Sequence, residues 1–299
     1  MSLRRKNIFT AYLFLTPWFI GFFGLVIGPM IASLYLSFTE YRLLTPPQWI
    51  GFDNYVKMFT DDYKYIDSVK VTLKFMIIAV PSQLIAALAV AMLLNQGLKG
   101  IGIYRTAYYI PSLMGGSVAV ALLWKQIFGL EGLVNQVLDR FFGIQGYGWV
   151  SHPDYAVYTL IILATWQFGA SMVIFLAGLK QIPSELYEAA SVDGAGKVRK
   201  FFMITLPLLS PVLFFNTVIE TIKAVQIFTP AYIISEGTGG PITATLFYTL
   251  YLYQQGFSFF NMGYASAMAW ILVLALAILT SLLFFSSRFW VYYEYGGKP

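Results

Sequence analysis

Four polar residues with helical spacing interrupt a long apolar stretch of the 299-residue chain. Glu220 and Lys223 lie three residues apart, Gln226 follows at the same interval, and Asn216 precedes Glu220 by four residues. This spacing places the four side chains on one face of a helix. A charged side chain that faces lipid is costly, so this face must meet other helices or a polar cavity. Two interpretations follow: a polar clamp between helices, or part of the lining of a solute pathway.

Motifs for catalysis do not occur in the sequence. His152 is the only histidine and follows directly on Ser151 in a polar stretch, and the chain has no cysteine. The patterns HExxH, GxSxG and GxxxxGK[ST], which mark zinc hydrolases, serine hydrolases and nucleotide-binding loops, are missing. We therefore expect this chain to have no enzymatic activity, no metal site, no cofactor and no disulfide.

The composition is that of a protein that crosses a membrane several times. Hydrophobic residues make up 58% of the chain and charged residues 11%, with a mean hydropathy of +0.69; soluble domains carry roughly 25% charged residues. A transmembrane helix needs about 20 apolar residues. Six candidate spans satisfy this, at 9–38, 70–95, 104–128, 156–179, 202–234 and 262–287. The sequence therefore predicts an all-α membrane protein with about six transmembrane helices, organised as a single domain over residues 1–299.

Basic residues between the spans predict the orientation, because cytoplasmic loops are enriched in Lys and Arg. One side would carry Arg4, Arg5, Lys6, Lys99, Arg105, Lys180, Lys197, Arg199, Lys200, Arg288 and Lys298. The other would carry only Arg42, Lys57, Lys64, Lys70, Lys125 and Arg140. This bias predicts that both termini and residues 184–200 are cytoplasmic and that residues 39–69 form an external loop.

The segment from Ser184 to Pro207 is a polar interruption between long apolar runs. Ser184 is predicted to be the N-cap of a short helix, because serine side chains satisfy the free N–H groups of the first turn. Asp193-Gly194 is predicted to end that helix, since glycine adopts backbone conformations that other residues resist. A second helical run from Ala195 to Thr205 would carry three basic residues to the membrane boundary. The product is a compact, exposed pair of helices suited to the groove of another protein.

The same segment carries the most specific motif of the chain. Glu188-Ala189-Ala190, then Gly194, then Ile204 and Leu206-Pro207 resemble the EAA loop of permease subunits in bacterial binding-protein-dependent ABC importers. The longer pattern EAASVDGA, followed by ITLPLLSP, is similar to the branch that imports oligosaccharides. The resemblance implies a type I importer permease fold and makes residues 184–200 the coupling helix region, which docks on an ATPase subunit.

Two further segments extend the resemblance over almost the whole chain. Trp49–Tyr55, together with Leu34–Tyr41, resembles the region after the first helix of sugar-importer permeases, and Glu236–Pro241 resembles their Gly-Gly-Pro turn. Residues 39–69 are interpreted either as an aromatic loop on the membrane surface or as a contact for a binding protein. A short amphipathic helix is also predicted on the outer surface between residues 128 and 151.

Partners follow from the resemblance. It implies a second permease subunit, expected to be a different chain, two ATPase subunits that bind ATP and Mg, an extracytoplasmic solute-binding protein and a carbohydrate substrate, with no nucleic acid. The chain would be a multi-pass protein of the bacterial cytoplasmic membrane.

Candidate residues for the substrate pathway combine the polar stripe with aromatic side chains. The fifth span lines the pathway in the family that the chain resembles, which favours that role for Asn216, Glu220, Lys223 and Gln226. Sugars also stack on aromatic faces, so Trp166, Tyr248 and Tyr251 are further candidates. Aromatic residues make up 18% of the chain, however, and membrane interfaces collect Tyr and Trp. Packing or an interfacial belt is therefore the alternative role for these three.

The resemblance implies the transmembrane subunit of a carbohydrate ABC importer that works by alternating access. One alternative is an ABC permease for another small polar solute, such as a sugar phosphate. A stand-alone secondary transporter is the other alternative. Such transporters usually contain inverted repeats and an ion relay, and neither is visible in the sequence.

Overall fold

The computed structural model describes residues 3–97 and 100–292, with side chains from Tyr12 onward in the first helix. The side chains of Arg4, Arg5 and Lys6, and residues Lys99 and Lys298, lie outside that description. In chain order the elements are α1 Leu3–Gly21, α2 Gly28–Ser37, β1 Thr39–Glu40, β2 Gln48–Trp49, α3 Asp53–Thr60, α4 Tyr63–Leu94, α5 Ile101–Met114, α6 Val118–Ile127, α7 Leu133–Phe142, α8 Ala156–Trp166, α9 Gly169–Leu179, α10 Ser184–Val192, α11 Lys197–Lys200, α12 Leu206–Val225, α13 Thr229–Ile234, α14 Tyr248–Tyr253 and α15 Met262–Trp290.

Among the described residues, six stretches correspond to the predicted spans. Four are helices long and apolar enough to cross a membrane: Tyr12–Ser37, Tyr63–Leu94, Lys197–Ile234 and Met262–Trp290. The other two are bent pairs, α5 with α6 at 98° and α8 with α9 at 42°. The all-α prediction with about six spans is confirmed. The short amphipathic helix predicted between residues 128 and 151 is present as α7.

Backbone contacts divide the chain into two compact units. The first unit comprises residues up to Asp62 together with Leu252–Leu274. Within it, β1 and β2 pair antiparallel, with Thr39 opposite Trp49. Asn54 donates to the carbonyl oxygens of Ser37 and Thr39, at 2.9 and 3.0 Å. These bonds order the start of the predicted 39–69 loop, because a buried amide and two carbonyls satisfy one another.

The second unit comprises Tyr63–Tyr251 together with the residues from Ala275 onward. Its central helix is α4, which packs against α8, α9 and α12. Phe75 of α4 is fully buried, as are Leu160 and Phe175. At the N-terminal end of α4, the Thr243 hydroxyl donates to Asp67 at 3.2 Å. At its C-terminal end, Asn95 lines a cleft with Tyr187 of α10. The loop after α13 and the polar segment at α10 therefore lie at opposite ends of α4.

Candidate functional site

A cavity of about 410 Å³ lies inside the second unit. Apolar side chains such as Phe75 and Leu160 form part of its wall. The polar and charged lining residues are Gln83, Ser112, Gln167, Glu220, Lys223, Gln226 and Thr229. Mostly apolar walls with a few polar groups are typical of a pocket for a small molecule.

Three interrupted helices meet at this cavity. The break between α5 and α6 contributes Gly115 and Gly116, and the break between α8 and α9 contributes Gln167. The third break follows α12, where Gln226 to Phe228 separate it from α13. Non-helical backbone at membrane depth is tolerated where it lines a cavity or is buried in protein. The breaks therefore mark the part of the unit that can offer polar backbone and side chains to a solute.

The first two breaks are joined by a hydrogen bond. Gln167 donates from Nε2 to the carbonyl oxygen of Gly115, at 3.0 Å. A Cβ added at Gly115 would lie 2.2 Å from Oε1 of Gln167, so a side chain at this position would displace the Gln167 amide. Ser117 then starts α6 as its N-cap, accepting from the backbone N–H of Val120. These local features fix the sharp bend between α5 and α6.

Glu220 and Lys223 form an ion pair at the cavity wall. The Lys223 ammonium donates to Oε1 of Glu220 at 2.9 Å, and the Ser171 hydroxyl of α9 donates to the same oxygen at 2.9 Å. The Glu220 side chain is only 4% exposed, whereas that of Lys223 is 57% exposed. The carboxylate thus joins α12 to α9, while the Lys223 side chain stays accessible.

The predicted polar stripe is divided by the structure. Glu220, Lys223 and Gln226 reach the cavity, with Gln226 just past the end of α12. Asn216 is buried and lies outside the lining. Its Nδ2 finds no hydrogen-bond partner within the part of the chain that the structure describes. The Ser171 bond fits the clamp interpretation and the accessible ammonium fits the pathway interpretation, so the stripe has features of both.

The aromatic candidates lie elsewhere. Trp166 packs on Trp124, with ring centroids 5.9 Å apart. Tyr248 and Tyr251 are buried, and the backbone N–H of Tyr248 donates to the Thr72 hydroxyl at 2.9 Å. None of the three lines the cavity, and their predicted role in the pathway stays a prediction.

Sequence reasoning missed several lining residues. Gln83, Ser112 and Thr229 carried no visible pattern, because each is a neutral polar residue in a mostly apolar stretch. A usable signal did exist at the first break, where Gly115-Gly116 precedes Ser117 in the middle of a predicted span. Within residues 3–97 and 100–292, no three His, Asp or Glu side chains are placed to hold a metal ion.

The polar segment near residue 190 forms two helices, with two corrections to their predicted bounds. Ser184 is not the N-cap: α10 already begins there, and Pro183 is the cap, with no side-chain cap bond. The proline ring fixes φ, and Pro183 has the extended ψ of a cap. The second helix begins at Lys197 instead of Ala195, because Gly196 is extended. As predicted, Gly194 follows the end of α10, with φ of +73°.

The residues of the predicted coupling motif fall into two groups. Glu188, Ala189 and Gly194 are exposed, and Ala190 is half-buried. Ile204, Leu206 and Pro207 are half-buried in the helical stretch that starts at Lys197. The first group therefore presents a surface, whereas the second joins that surface to the bundle.

Two side-chain bonds connect α10 to that helical stretch. The hydroxyls of Tyr187 and Thr205 are 2.8 Å apart, and the Lys200 ammonium donates to the Ser191 hydroxyl. The backbone N–H of Ala195 also donates to the Ala190 carbonyl oxygen, at 2.8 Å. These bonds join α10 to the start of the next helix on both sides of the turn.

Known proteins resemble the chain over most of its length. A family model described as "Binding-protein-dependent transport system inner membrane component" matches residues 63–293. The Bacillus subtilis "Probable ABC transporter permease protein YesP" is 53% identical over 98% of this chain and 94% of that protein. The Rhizobium radiobacter "Lactose transport system permease protein LacF" is 34% identical, over 96% and 97%. A chain of a crystal structure of a bacterial alginate ABC transporter, solved with an alginate pentasaccharide-bound periplasmic protein, has a TM-score of 0.82 at 22% identity, over 95% of both chains.

Proposed function

The chain belongs to the family of binding-protein-dependent transport system inner membrane components, and from that premise we propose that it is the membrane subunit of a carbohydrate ABC importer, coupled through residues 184–200 to a separate ATPase subunit. The observation that carries the coupling is the exposed surface of α10, which is bonded to the start of the next helix. Its Val192 side chain is 89% exposed. A partner's groove is the environment in which such a helix buries its apolar residues.

The helix that begins at Lys197 provides the mechanical connection. It continues from α11 through the π-helical residues Phe201–Thr205 and α12 to Val225, and Glu220 and Lys223 lie near its end. At 1.5 Å per residue, Thr205 and Glu220 are separated by about 22 Å along this helix. A displacement imposed on α10 is transmitted through the Tyr187–Thr205 bond to the cavity wall, which is the link that alternating access requires.

The ends of α4 support the proposed topology. The segment 184–200 lies at one end of this 32-residue helix and the loop around Thr243 at the other. We place the first end in the cytoplasm, where an ATPase binds ATP and Mg, and the second outside. There an extracytoplasmic binding protein delivers the solute. A second permease subunit completes the pathway.

A carbohydrate is the substrate class that its relative suggests. The 34% identical relative is a lactose permease, and the amide and hydroxyl groups in the cavity wall suit sugar hydroxyls.

ATP-driven uptake tests the proposal. The chain is co-expressed with its candidate partner subunits, and the purified complex is reconstituted into vesicles. The binding protein is supplied either inside the vesicle lumen or outside, so that complexes inserted in either orientation are tested. We expect the ATPase to co-purify with this chain and sugar uptake to need ATP. Uptake driven by a cation gradient with this chain alone contradicts the proposal, since it would indicate a secondary transporter.

Single cysteines test the topology, because the native chain contains none. Leu44 is 95% exposed and Val192 is 89% exposed, so a cysteine at either position can be labelled and removes no buried side chain. We expect Leu44→Cys to react with an impermeant maleimide added outside intact cells, and Val192→Cys to react only after lysis. The reverse pattern overturns the orientation.

A further inference from the structure

The two charges in the cavity are unequally available to a solute. Glu220 and Lys223 are the charged side chains among the described residues that line the wall. The carboxylate is 4% exposed, and its Oε1 accepts from both Ser171 and Lys223. The Lys223 side chain is 57% exposed, and its ammonium has three donor hydrogens. One of its hydrogens is directed to Glu220, which leaves the others free to meet a ligand.

The surroundings of Lys223 strengthen its attraction for an anion. Phe75, Leu160 and Leu163 form apolar wall around the cavity, and charges interact more strongly where water is partly replaced by apolar groups. The neutral polar groups in the wall, Gln83 and Thr229 among them, can pair with hydroxyls. The cavity therefore combines a sugar-binding set of neutral groups with one accessible positive charge.

We propose that the solute is a carbohydrate with an anionic group, and that Lys223 pairs with that group during passage. Glu220, held by Ser171, positions the ammonium at the wall. A neutral sugar needs only hydroxyl and amide partners, and the desolvation of the Glu220 carboxylate would bring it no matching contact. This inference rests on the proposed function and adds the charge of the substrate to it.

The choice of lysine suits a pathway better than a tight binding site. A lysine ammonium is a compact point charge on a flexible chain and lacks the bidentate fork of arginine. Because one of its donors already pairs with Glu220, the bond to a solute anion is weaker than one to an unshared cation. Transport requires binding that is favourable enough to admit the solute and weak enough to release it.

Binding is measured on the permease complex without the binding protein, so that the selectivity of the binding protein cannot contribute to the result. The complex of this chain with its partner subunits is placed in nanodiscs without the binding protein, and titrated calorimetrically with cellobiose and with cellobiouronic acid. The two disaccharides differ by one carboxylate. Hydrogen bonds to charged groups are stronger than those between neutral groups, so we expect the acid to bind about tenfold more tightly. Raising the salt concentration to about 1 M should reduce this preference.

Three variants assign the preference to Lys223. Glu220→Gln with Lys223→Gln removes both charges together and should abolish the preference while keeping assembly. Lys223→Arg keeps the charge and should retain it. Lys74→Gln is the matched control, because Lys74 lies over the ring of Tyr158, with 4.6 Å from Nζ to the centroid, and does not line the cavity. Should the double variant fail to assemble, Lys223→Arg and the salt dependence decide.

Glycerol 3-phosphate, compared with glycerol, distinguishes a phosphate ester from a uronate as the source of the negative charge. Tighter binding of either anion than of its neutral counterpart, lost in the double variant, supports the proposal. Equal or undetectable binding of all four probes overturns it, as does a preference that survives loss of Lys223. ATP-driven sugar uptake that persists with no charge preference leaves the proposed function standing and removes only this inference.

Discussion

The helix that runs from Lys197 to Val225 contacts both the cavity and the α10 segment (residues 184–200), yet these two regions are built in different ways. The cavity collects residues from three helix breaks and from α4, which are far apart in the sequence. The α10 segment is contiguous, mostly exposed, and held by bonds between residues no more than 18 positions apart. One region depends on buried charge and packing, the other on local backbone geometry.

This difference decides which kind of change disturbs each region. In the cavity, the carboxylate of Glu220 is removed from water and depends on its two donors, so the loss of a partner has a large energetic cost. At α10, most side chains face solvent, and only positions with a special backbone conformation or a bond to the next helix are sensitive. Four measurements test this contrast, and they are ordered by expected effect.

The largest effect is expected from breaking the ion pair at the cavity. Lys223→Met leaves the Glu220 carboxylate without a cation, at 4% exposure. Breaking a buried pair costs about 3–5 kcal/mol. Because the ammonium is partly exposed, we expect about 3 kcal/mol. The complex should lose thermal stability in a detergent unfolding assay, and Glu220→Gln should have a smaller effect, because the lysine that it leaves unpaired is partly exposed.

The double variant sharpens this prediction. With Glu220→Gln and Lys223→Met together, no charge is left uncompensated, so assembly should recover. If the pair lines the pathway, solute uptake stays impaired or changes its sugar preference after assembly has recovered. Full recovery of both assembly and uptake would instead make the pair a scaffold, and would leave the predicted region around Tyr248 and Tyr251 as the better candidate for sugar contact.

The second effect belongs to the α10 segment and needs no buried contact. Gly194 has φ of +73°, and a Cβ added there meets nothing within 4 Å. Gly194→Val is therefore expected to cost about 1–2 kcal/mol through backbone strain alone, and to reduce ATPase co-purification or ATP-coupled uptake. Gly196→Val is the matched control, because Gly196 has a negative φ of −70° and equally open surroundings. Equal behaviour of the two variants would contradict a role for backbone conformation here.

Local signals predicted the α10 segment well, for a physical reason. The turn at Gly194 depends on the backbone preference of one residue, and the exposed face on a few neighbours. The errors concern caps: Pro183 replaces Ser184 as the N-cap, and Gly196 delays the second helix to Lys197. Both arise from residues whose backbone preferences moved a helix start by one or two positions.

The sequence pointed to cavity residues mainly where a charged side chain interrupts an apolar stretch. Glu220 and Lys223 stand out because charge in an apolar stretch is costly and calls for an explanation. Gln83 and Ser112 do not, since neutral polar residues are common in membrane helices. Which helix breaks meet in space depends on the packing of α4 against its neighbours, and no local pattern encodes that packing. For this reason the bend between α5 and α6 was missed, although Gly115-Gly116 marks it.

The third effect measures the bond that joins the two regions. Tyr187→Phe removes the hydroxyl that lies 2.8 Å from that of Thr205 and leaves the ring in place. The loss of one such hydrogen bond costs about 1 kcal/mol, so stability should fall slightly. Coupling should fall more, measured as the number of ATP molecules hydrolysed per sugar transported, because α10 then moves with less constraint. Thr205→Val should act in the same direction, and an unchanged ratio in both variants would show that the bond transmits nothing.

The smallest effect compares two ion pairs of the same chemistry. Lys125 and Glu236 are 2.6 Å apart at the other end of the unit, where the Glu236 side chain is 77% exposed. The hydrogen bond from Lys125, and then its charge, hold the pKa of Glu236 below its ordinary value of 4.5. A lowered carboxyl pKa stabilises the fold above pH 4.5, and this stabilisation disappears as the pH falls through the lowered value.

Exposed pairs are also screened by salt. We therefore expect Glu236→Gln to change the unfolding temperature slightly at neutral pH and low salt, and not at all in high salt or strong acid. The loss at Lys223→Met should persist in high salt, because the carboxylate left unpaired there is buried. An equal salt response of the two variants would show that burial does not separate these pairs.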